Sequence, residues 1–345
     1  MKRVPEGSPG RLAAITELGR RVRTEVAAVV PRGTRVALLD FPEYGNVGDS
    51  LIWLGQLAAL RAAGASVGYA AGVSTYDPQA LRRSVSPGSG VVLLSGGGNF
   101  GDLWPVHGEL RNRVLSELTD FPVVQLPQSI HFSDIRNLET ARSLIRAHPA
   151  FTLMIRDEAS RATAEERLEH PVVLCPDVAF ALGPMARAGE PQIPIVLLSR
   201  DDKEGPSDSG RPADEPPRVD WVDEPAPSLV DRLAERWKRA GGPISLPARI
   251  RLFRHRAEHR VRHGARLLSR GQAVVTNRLH GMILSMLMGI PHFVSDTRQG
   301  KIGAFHGTWL ATSMPGVMCG SERDALRRAR ELTAGGSGDP VHAAR

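Results

Sequence analysis

Short, largely apolar runs rich in β-branched residues recur along the chain at 35–41, 91–95, 123–126, 151–155 and 172–174, and again at 194–199, 273–276 and 292–295. Within each run the apolar residues are nearly continuous rather than alternating, as expected of strands covered on both faces. Between the runs the spacing predicts helices over 51–63, 109–118, 134–147, 158–167, 228–239, 249–268 and 282–288. Leu51, Leu54, Leu57, Ala58 and Leu60 make one apolar stripe at helical spacing. This alternation of strand and helix predicts an α/β fold of parallel sheets with helices on both faces.

The rhythm pauses twice. A Gly- and Pro-rich stretch at 183–194 reads as a linker, dividing the chain into an N-terminal part, 1–185, and a C-terminal part, 186–333, with a disordered tail at 334–345. Residues 201–227 are rich in Pro, Asp, Glu, Gly and Ser and read as a mobile acidic surface loop or lid. Two α/β halves facing each other would leave a cleft at the C-terminal ends of their strands. No internal repeat relates the halves.

A length of 345 residues suits two domains, and 41% hydrophobic with 23% charged residues is a globular composition. The two cysteines, Cys175 and Cys319, lie far apart and make neither a metal-ligand spacing nor a disulfide framework. Cys175 ends an apolar run and is expected to be a buried thiol. The basic N-terminus lacks the apolar core of a signal peptide, and no stretch approaches the roughly 20 apolar residues that cross a bilayer. A cytoplasmic protein is expected. The net charge of +7 and the pI of about 10.1 favour anionic partners without choosing among them.

Four places carry candidate chemistry. Gly45-Asn46-Val47-Gly48-Asp49-Ser50 links a strand to a helix, where glycines allow close approach and the helix start favours an anion. Asp49 would repel phosphate there, but it could cap the helix or accept from sugar hydroxyls. Gly96, Gly97, Gly98 and Asn99 form a second glycine-rich loop after a buried strand, without the dinucleotide-binding spacing. Arg156, at the end of the run 151–155, has a planar fork suited to carboxylate or phosphate, or it pairs with Asp157 at the surface. The fourth is Asn277-Arg278-Leu279-His280-Gly281, a cation near a titratable imidazole at a strand–helix junction. Arg278 and His280 share a side if the chain stays extended after Thr276, and diverge if the helix has begun. Lys301 could return to the same place.

Together, GNVGD, GGGNFGD, LPQSI at 126–130, RDE at 156–158, CPDVAF at 175–180, NRLHG with its helix and GIP, and Lys301 stand in the order found in polysaccharide pyruvyl transferases, which the chain resembles over about 35–310. The resemblance implies two Rossmann-like domains facing each other across a cleft, a GT-B-like arrangement. It implies phosphoenolpyruvate as donor, a glycan sugar as acceptor and a cyclic pyruvate ketal as product, with no cofactor and no metal. By position, Arg278 and Arg156 would hold the donor, with Lys301 beside them, and His280 would be the acid/base residue. Asn46, Gly48, Asp49 and the loop Gly96, Gly97, Gly98, Asn99 would line the cleft. The rival reading is a GT-B-type glycosyltransferase using a nucleotide sugar.

Two segments depart from the pattern: the long acidic stretch 201–227 and a very basic helix carrying Arg249, Arg251, Arg254, Arg256, Arg260, Arg262 and Arg266. That helix also has apolar positions at Leu252, Ala257, Val261, Ala265 and Leu268, which suggest packing against a core. With few aromatics among its charges, a nucleic-acid partner is not expected. Peripheral contact with an anionic membrane surface is the alternative that its charge leaves open.

Overall fold

The computed structural model describes residues 9–200, 216–221, 225–239, 244–297, 299–314 and 317–334. In chain order its strands are β1 (Arg35–Leu39), β2 (Ser66–Ala71), β3 (Val91–Leu94), β4 (Gly97–Gly101), β5 (Val123–His131), β6 (Phe151–Ile155), β7 (Val172–Leu174), β8 (Ile193–Leu198), β9 (Arg218–Val219), β10 (Gly271–Thr276), β11 (His292–Ser295) and β12 (Met318–Cys319). Its α-helices are α1 (Pro9–Val29), α2 (Val47–Ala63), α3 (Pro78–Ser84), α4 (Pro105–Glu117), α5 (Ile135–Ala147), α6 (Glu158–Thr163), α7 (Leu229–Arg239), α8 (Leu246–Ser269), α9 (Leu279–Met288), α10 (Lys301–Trp309) and α11 (Glu322–Ala334).

The strands form two parallel sheets. The first runs β2-β1-β3-β5-β6-β7, with β4 beside β5, and the second runs β12-β11-β10-β8-β9. In the first, Leu38 stands opposite Ala70 on one side and Leu93 on the other. In the second, Thr276 stands between Leu198 and Val294. Successive residues of β1 face opposite cores, as period-2 geometry requires: Val36 and Leu38 one way, Ala37 and Leu39 the other.

One core is continuous between the sheets. Val36 and Leu38 of the first sheet share it with Val196, Val274 and Val294 of the second, through Ile15 and Val22 of α1, Leu51 and Trp53 of α2, Phe253 and Val261 of α8, and Met282 and Leu287 of α9. Phe41 stacks on Phe253 at 3.9 Å and meets Trp53 edge-on at 5.0 Å. Separate cores lie on the outer faces, one under α3, α4 and α5, the other under α11. Cys175 is buried, and burial pushes its thiol well above the usual range.

The apolar runs became strands nearly where the pattern placed them. The strand predicted at 123–126 continues to His131, and the helix predicted at 158–167 stops at Thr163 before a wide turn over 164–168. The helix α1 was not predicted, although Ile15, Leu18, Val22 and Val26 carry its stripe.

The acidic segment 201–227 needs correcting where it is described. Arg218–Val219 pairs with β8 as an edge strand, and Trp221 is only 2% exposed within the shared core. Burying an indole contributes on the order of 2 kcal/mol, which anchors this part of the segment. Residues 201–215 and 222–224 lie outside the described residues, as does nearly all of the predicted tail.

Candidate active site

Each sheet reverses direction once. From β1 the chain moves out to β2 and returns to β3 on the other side, and from β8 it moves out to β9 and returns to β10. Loops diverge at such a switch point and leave a crevice at the C-terminal strand ends. Here both crevices open on one cavity of about 380 Å³, lined by Tyr44–Asn46, Gly48, Asp49, Gly98, Asn99, Trp104, Val106, His107 and Arg156 on one side, and by Arg200, Trp221, Asn277–His280, Thr297, Lys301 and Ile302 on the other.

The first-sheet wall begins where β1 ends. Asp40 adopts φ +67°, the left-handed region that a side chain rarely enters, at a cost of about 1 kcal/mol or more. Its carboxylate is buried, 2.7 Å from His107 Nδ1, and accepts from Asn99 Nδ2 at 3.1 Å. Asn99 Oδ1 accepts from Gln128 Nε2 at 2.7 Å, and Asn99 N–H donates back to Gln128 Oε1 at 3.1 Å. Burial pulls the His107 pKa down, but the hydrogen bond and charge of Asp40 outweigh it and leave the imidazole above its ordinary value.

Asn46, not Asp49, caps α2: its Oδ1 accepts from the N–H groups of Gly48 at 2.8 Å and Asp49 at 3.4 Å. The Asp49 carboxylate turns to the cavity and accepts from Tyr44 Oη at 2.9 Å. Of the second glycine loop, Gly98 and Asn99 line the cavity, whereas Gly96 and Gly97 do not. These residues do not form an open loop. Gly97 starts β4, and a Cβ at Gly96 would stand 2.7 Å from the Pro127 carbonyl, so this glycine serves strand packing.

The second-sheet wall is the start of α9. Arg278 is still extended, at φ −105° and ψ 124°, and is the N-cap, while His280 already lies in the first helical turn. Both conditions set by the sequence are therefore met in part, and both side chains nevertheless line the cavity. Arg278 Nη2 pairs with Asp220 Oδ2, and its N–H donates to Thr276 Oγ1 at 3.0 Å. The cap provides no side-chain acceptor for the helix start, which leaves that end suited to an anion.

The link between the walls is Asp177. Its Oδ2 accepts from Arg156 Nη1 at 2.7 Å and stands 3.2 Å from His280 Nε2, and its Oδ1 accepts from the Ala179 N–H at 3.0 Å. Burial alone would raise the Asp177 pKa, but His280, Arg156 and the Ala179 amide outweigh that and hold it far below the usual carboxylate range. Arg156 is thus paired in the interior with Asp177, not at the surface with Asp157. Ser129 Oγ accepts from its Nε at 2.9 Å, and Ser129 donates in turn to Asp157.

His280 also packs against the α2 loop. A Cβ at Gly48 would lie 2.8 Å from His280 Nδ1, so only glycine leaves the space beside that nitrogen open. Lys301, at the start of α10, donates to the Gly98 carbonyl at 3.3 Å. Among the described residues the cavity therefore gathers Arg156, Arg200, Arg278 and Lys301 with one lining carboxylate, Asp49. Such a field suits a small polyanion. Among the described residues no group of three or more His, Cys, Asp or Glu is placed to hold a metal ion.

Of the residues singled out in the sequence, Asn46, Gly48, Asp49, Gly98, Asn99, Arg156, Arg278, His280 and Lys301 meet at this cavity. Sequence reasoning missed Asp40, His107, Asp177 and Asp220. Asp177 lay within the quoted CPDVAF stretch, but nothing local identified its partners.

The model of the family described as polysaccharide pyruvyl transferase matches residues 46–298. Pyruvyl transferase 1 of Schizosaccharomyces pombe is 34% identical over 287 residues, which cover 80% of this chain and 70% of that protein. EpsO of Bacillus subtilis, whose name assigns it provisionally to the same activity, is 29% identical over 291 residues, covering 82% of this chain and 87% of its own. A functionally uncharacterized protein of Klebsiella pneumoniae has a similar fold, with a TM-score of 0.58 at 13% identity over 88% of this chain and 99% of its own.

Proposed function

The chain belongs to the polysaccharide pyruvyl transferase family, and from that premise we propose that it transfers the pyruvyl unit of phosphoenolpyruvate to a sugar of a surface glycan, forming a cyclic ketal. The observation that carries this reading is the Asp177 carboxylate shared by Arg156 and His280 beside Arg278 and Lys301. It sets a titratable imidazole within a cluster of cations suited to a small trianion. The two sheets are read as two Rossmann-like halves in a GT-B-like arrangement, with the donor at the double switch point.

In this scheme Arg156, Arg278, Lys301 and the start of α9 hold the donor's carboxylate and phosphate. Asp177 engages and orients His280 through Nε2, so the proton comes from Nδ1, beside the opening that Gly48 leaves. That proton goes to the vinyl methylene carbon and makes it a methyl group. One sugar hydroxyl attacks the resulting oxocarbenium-like carbon and loses its proton. Phosphate leaves with the electrons of the C–O bond, and a second hydroxyl closes the ring as its proton departs. The groups that stabilise charge are fixed before the reaction, which is where electrostatic catalysis has its largest effect.

The family match gives no support to the nucleotide-sugar reading. Incubation with phosphoenolpyruvate and a panel of aryl glycosides, followed by mass spectrometry, tests the reaction directly. The expected result is a mass gain of one pyruvate less one water, with release of phosphate. Consumption of a UDP- or GDP-sugar with no change in phosphoenolpyruvate would overturn it.

A further inference from the structure

Helix α7 separates its charges. Its carboxylates Asp231 and Glu235 turn to α8 and pair with Arg256 at 2.8 and 3.4 Å. Arg232, Arg236 and Arg239 of the same helix are exposed, and no carboxylate pairs with them among the described residues. Arg20, Arg113 and Arg327, by contrast, each pair with a carboxylate three or four positions away on their own helix.

Its apolar residues are also exposed to solvent over about half their surface. Leu229, Val230, Leu233 and Trp237 are 64, 43, 56 and 57% exposed. At helical spacing they share one face, with the three arginines along its edge. Val230, Leu233 and Trp237 form, with Ala248 and Leu252 of α8, an open groove of about 500 Å³ beside the exposed Arg251. The arginine-rich helix α8 itself is turned inward along Leu252, Phe253, Ala257 and Val261, so the outward-facing apolar surface belongs to α7.

We propose that this face of α7 and α8 docks on an anionic lipid bilayer. An indole and three aliphatic side chains are suited to the boundary between headgroups and acyl chains, and the flanking guanidinium groups to lipid phosphates. No described helix is long and apolar enough to cross a membrane, so the contact is peripheral. A polar recess lined by Glu43, Asp231, Arg256 and Arg260 connects α7 with the loop that carries Tyr44 to the cavity. The docking does not depend on the proposed reaction.

The test is sedimentation of the full chain with vesicles of phosphatidylcholine alone or mixed with phosphatidylglycerol, across a salt series. The expected result is binding to the anionic vesicles, weaker by about tenfold on phosphatidylcholine or at high salt. The paired change Leu233→Glu and Trp237→Glu should weaken binding by at least about tenfold, with the far-ultraviolet spectrum and turnover of a soluble aryl glycoside unchanged. The triple change Arg232→Ala, Arg236→Ala and Arg239→Ala should weaken it in the same direction. Equal sedimentation of wild type and variants overturns the proposal. So does a wild-type chain that ignores both vesicles but dimerises through Trp237 in sedimentation velocity, or that binds an oligonucleotide instead. Turnover on the soluble glycoside is read separately, so loss of the docking idea leaves the reaction standing, and the reverse.

Discussion

The two walls of the cavity hold their polar groups by different means. On the first-sheet wall the side chains hold one another: Asp40 holds His107 and Asn99, and Asn99 holds Gln128. On the second-sheet wall the support comes from a distance. His280 rests on Asp177 and Lys301 on Gly98, both from the first-sheet segment, and Arg278 on Asp220 from the edge strand of its own sheet. The side-chain network of the first wall lies within one half of the chain, although Arg260 of α8 donates to the Pro42 carbonyl at 2.8 Å beside it. The second acquires its geometry only when the sheets have packed, which ties the proposed chemistry to the core shared between them.

The sharpest way to break this contrast is to remove the imidazole. A general acid contributes about 10²–10⁴-fold, so His280→Ala should lower single-turnover phosphate release by that factor while calorimetric affinity for phosphoenolpyruvate holds. Unchanged turnover would remove His280 from the reaction.

Next in size is the support itself. Asp177→Asn leaves Arg156 charged in the interior without its counter-ion, and losing one partner of such a pair costs about 3–5 kcal/mol. Chemical denaturation should show that loss, together with lower turnover. A stability equal to wild type would mean that the walls are not joined through this carboxylate.

A smaller effect is expected at the rim of the second wall. Arg278→Lys keeps the charge and loses the planar fork, and should weaken phosphoenolpyruvate binding by about tenfold, the loss of roughly one charged hydrogen bond. Isothermal titration showing equal affinity would place the donor elsewhere in the cavity.

The smallest effect is on pH dependence, where the His107 pairing and the Asp177 link should respond in opposite senses. The folded pKa of His107 lies above the ordinary imidazole value. The stability from its pairing with Asp40 is therefore complete below about pH 6.5 and is lost as pH rises through the folded value. The folded pKa of Asp177 lies below the ordinary carboxylate value, so its contribution is complete above about pH 4 and is lost as pH falls. Urea unfolding of wild type and His107→Gln should show a stability gap that is widest at acid pH and closes on the alkaline side. A gap that does not change with pH would show that His107 is not charged in the fold.

Much of this arrangement was legible in the linear order of residues. Nearly continuous apolar runs marked the buried parallel strands, and the strand–helix junctions marked where Asn46, Arg156, Arg278 and His280 would emerge. The failures have physical causes. Gly96 and Gly97 looked like an open ligand loop because glycine signals close approach without saying to what; here the neighbour of Gly96 is the Pro127 carbonyl, and that of Gly97 is the Ile52 side chain. Residues 218–221 looked like free loop because two strand residues and one tryptophan are too short a signal among prolines and acids. For Asp49 the sequence left capping and sugar binding both open, because carboxylates and amides cap equally well; the cap is Asn46, which stands closer to the helix start.

The sequence alone determined the class of fold and the positions from which the cavity-lining side chains emerge, because strand burial, helical spacing and turn formation are decided within about ten residues. Only the tertiary structure decided which carboxylate steadies which cation. His280 and Asp177 are 103 positions apart and Arg278 and Asp220 are 58 apart. Such pairs are set by how the faces of the two sheets meet around α2, α8 and α9, and packing of that kind leaves no periodic trace along the chain.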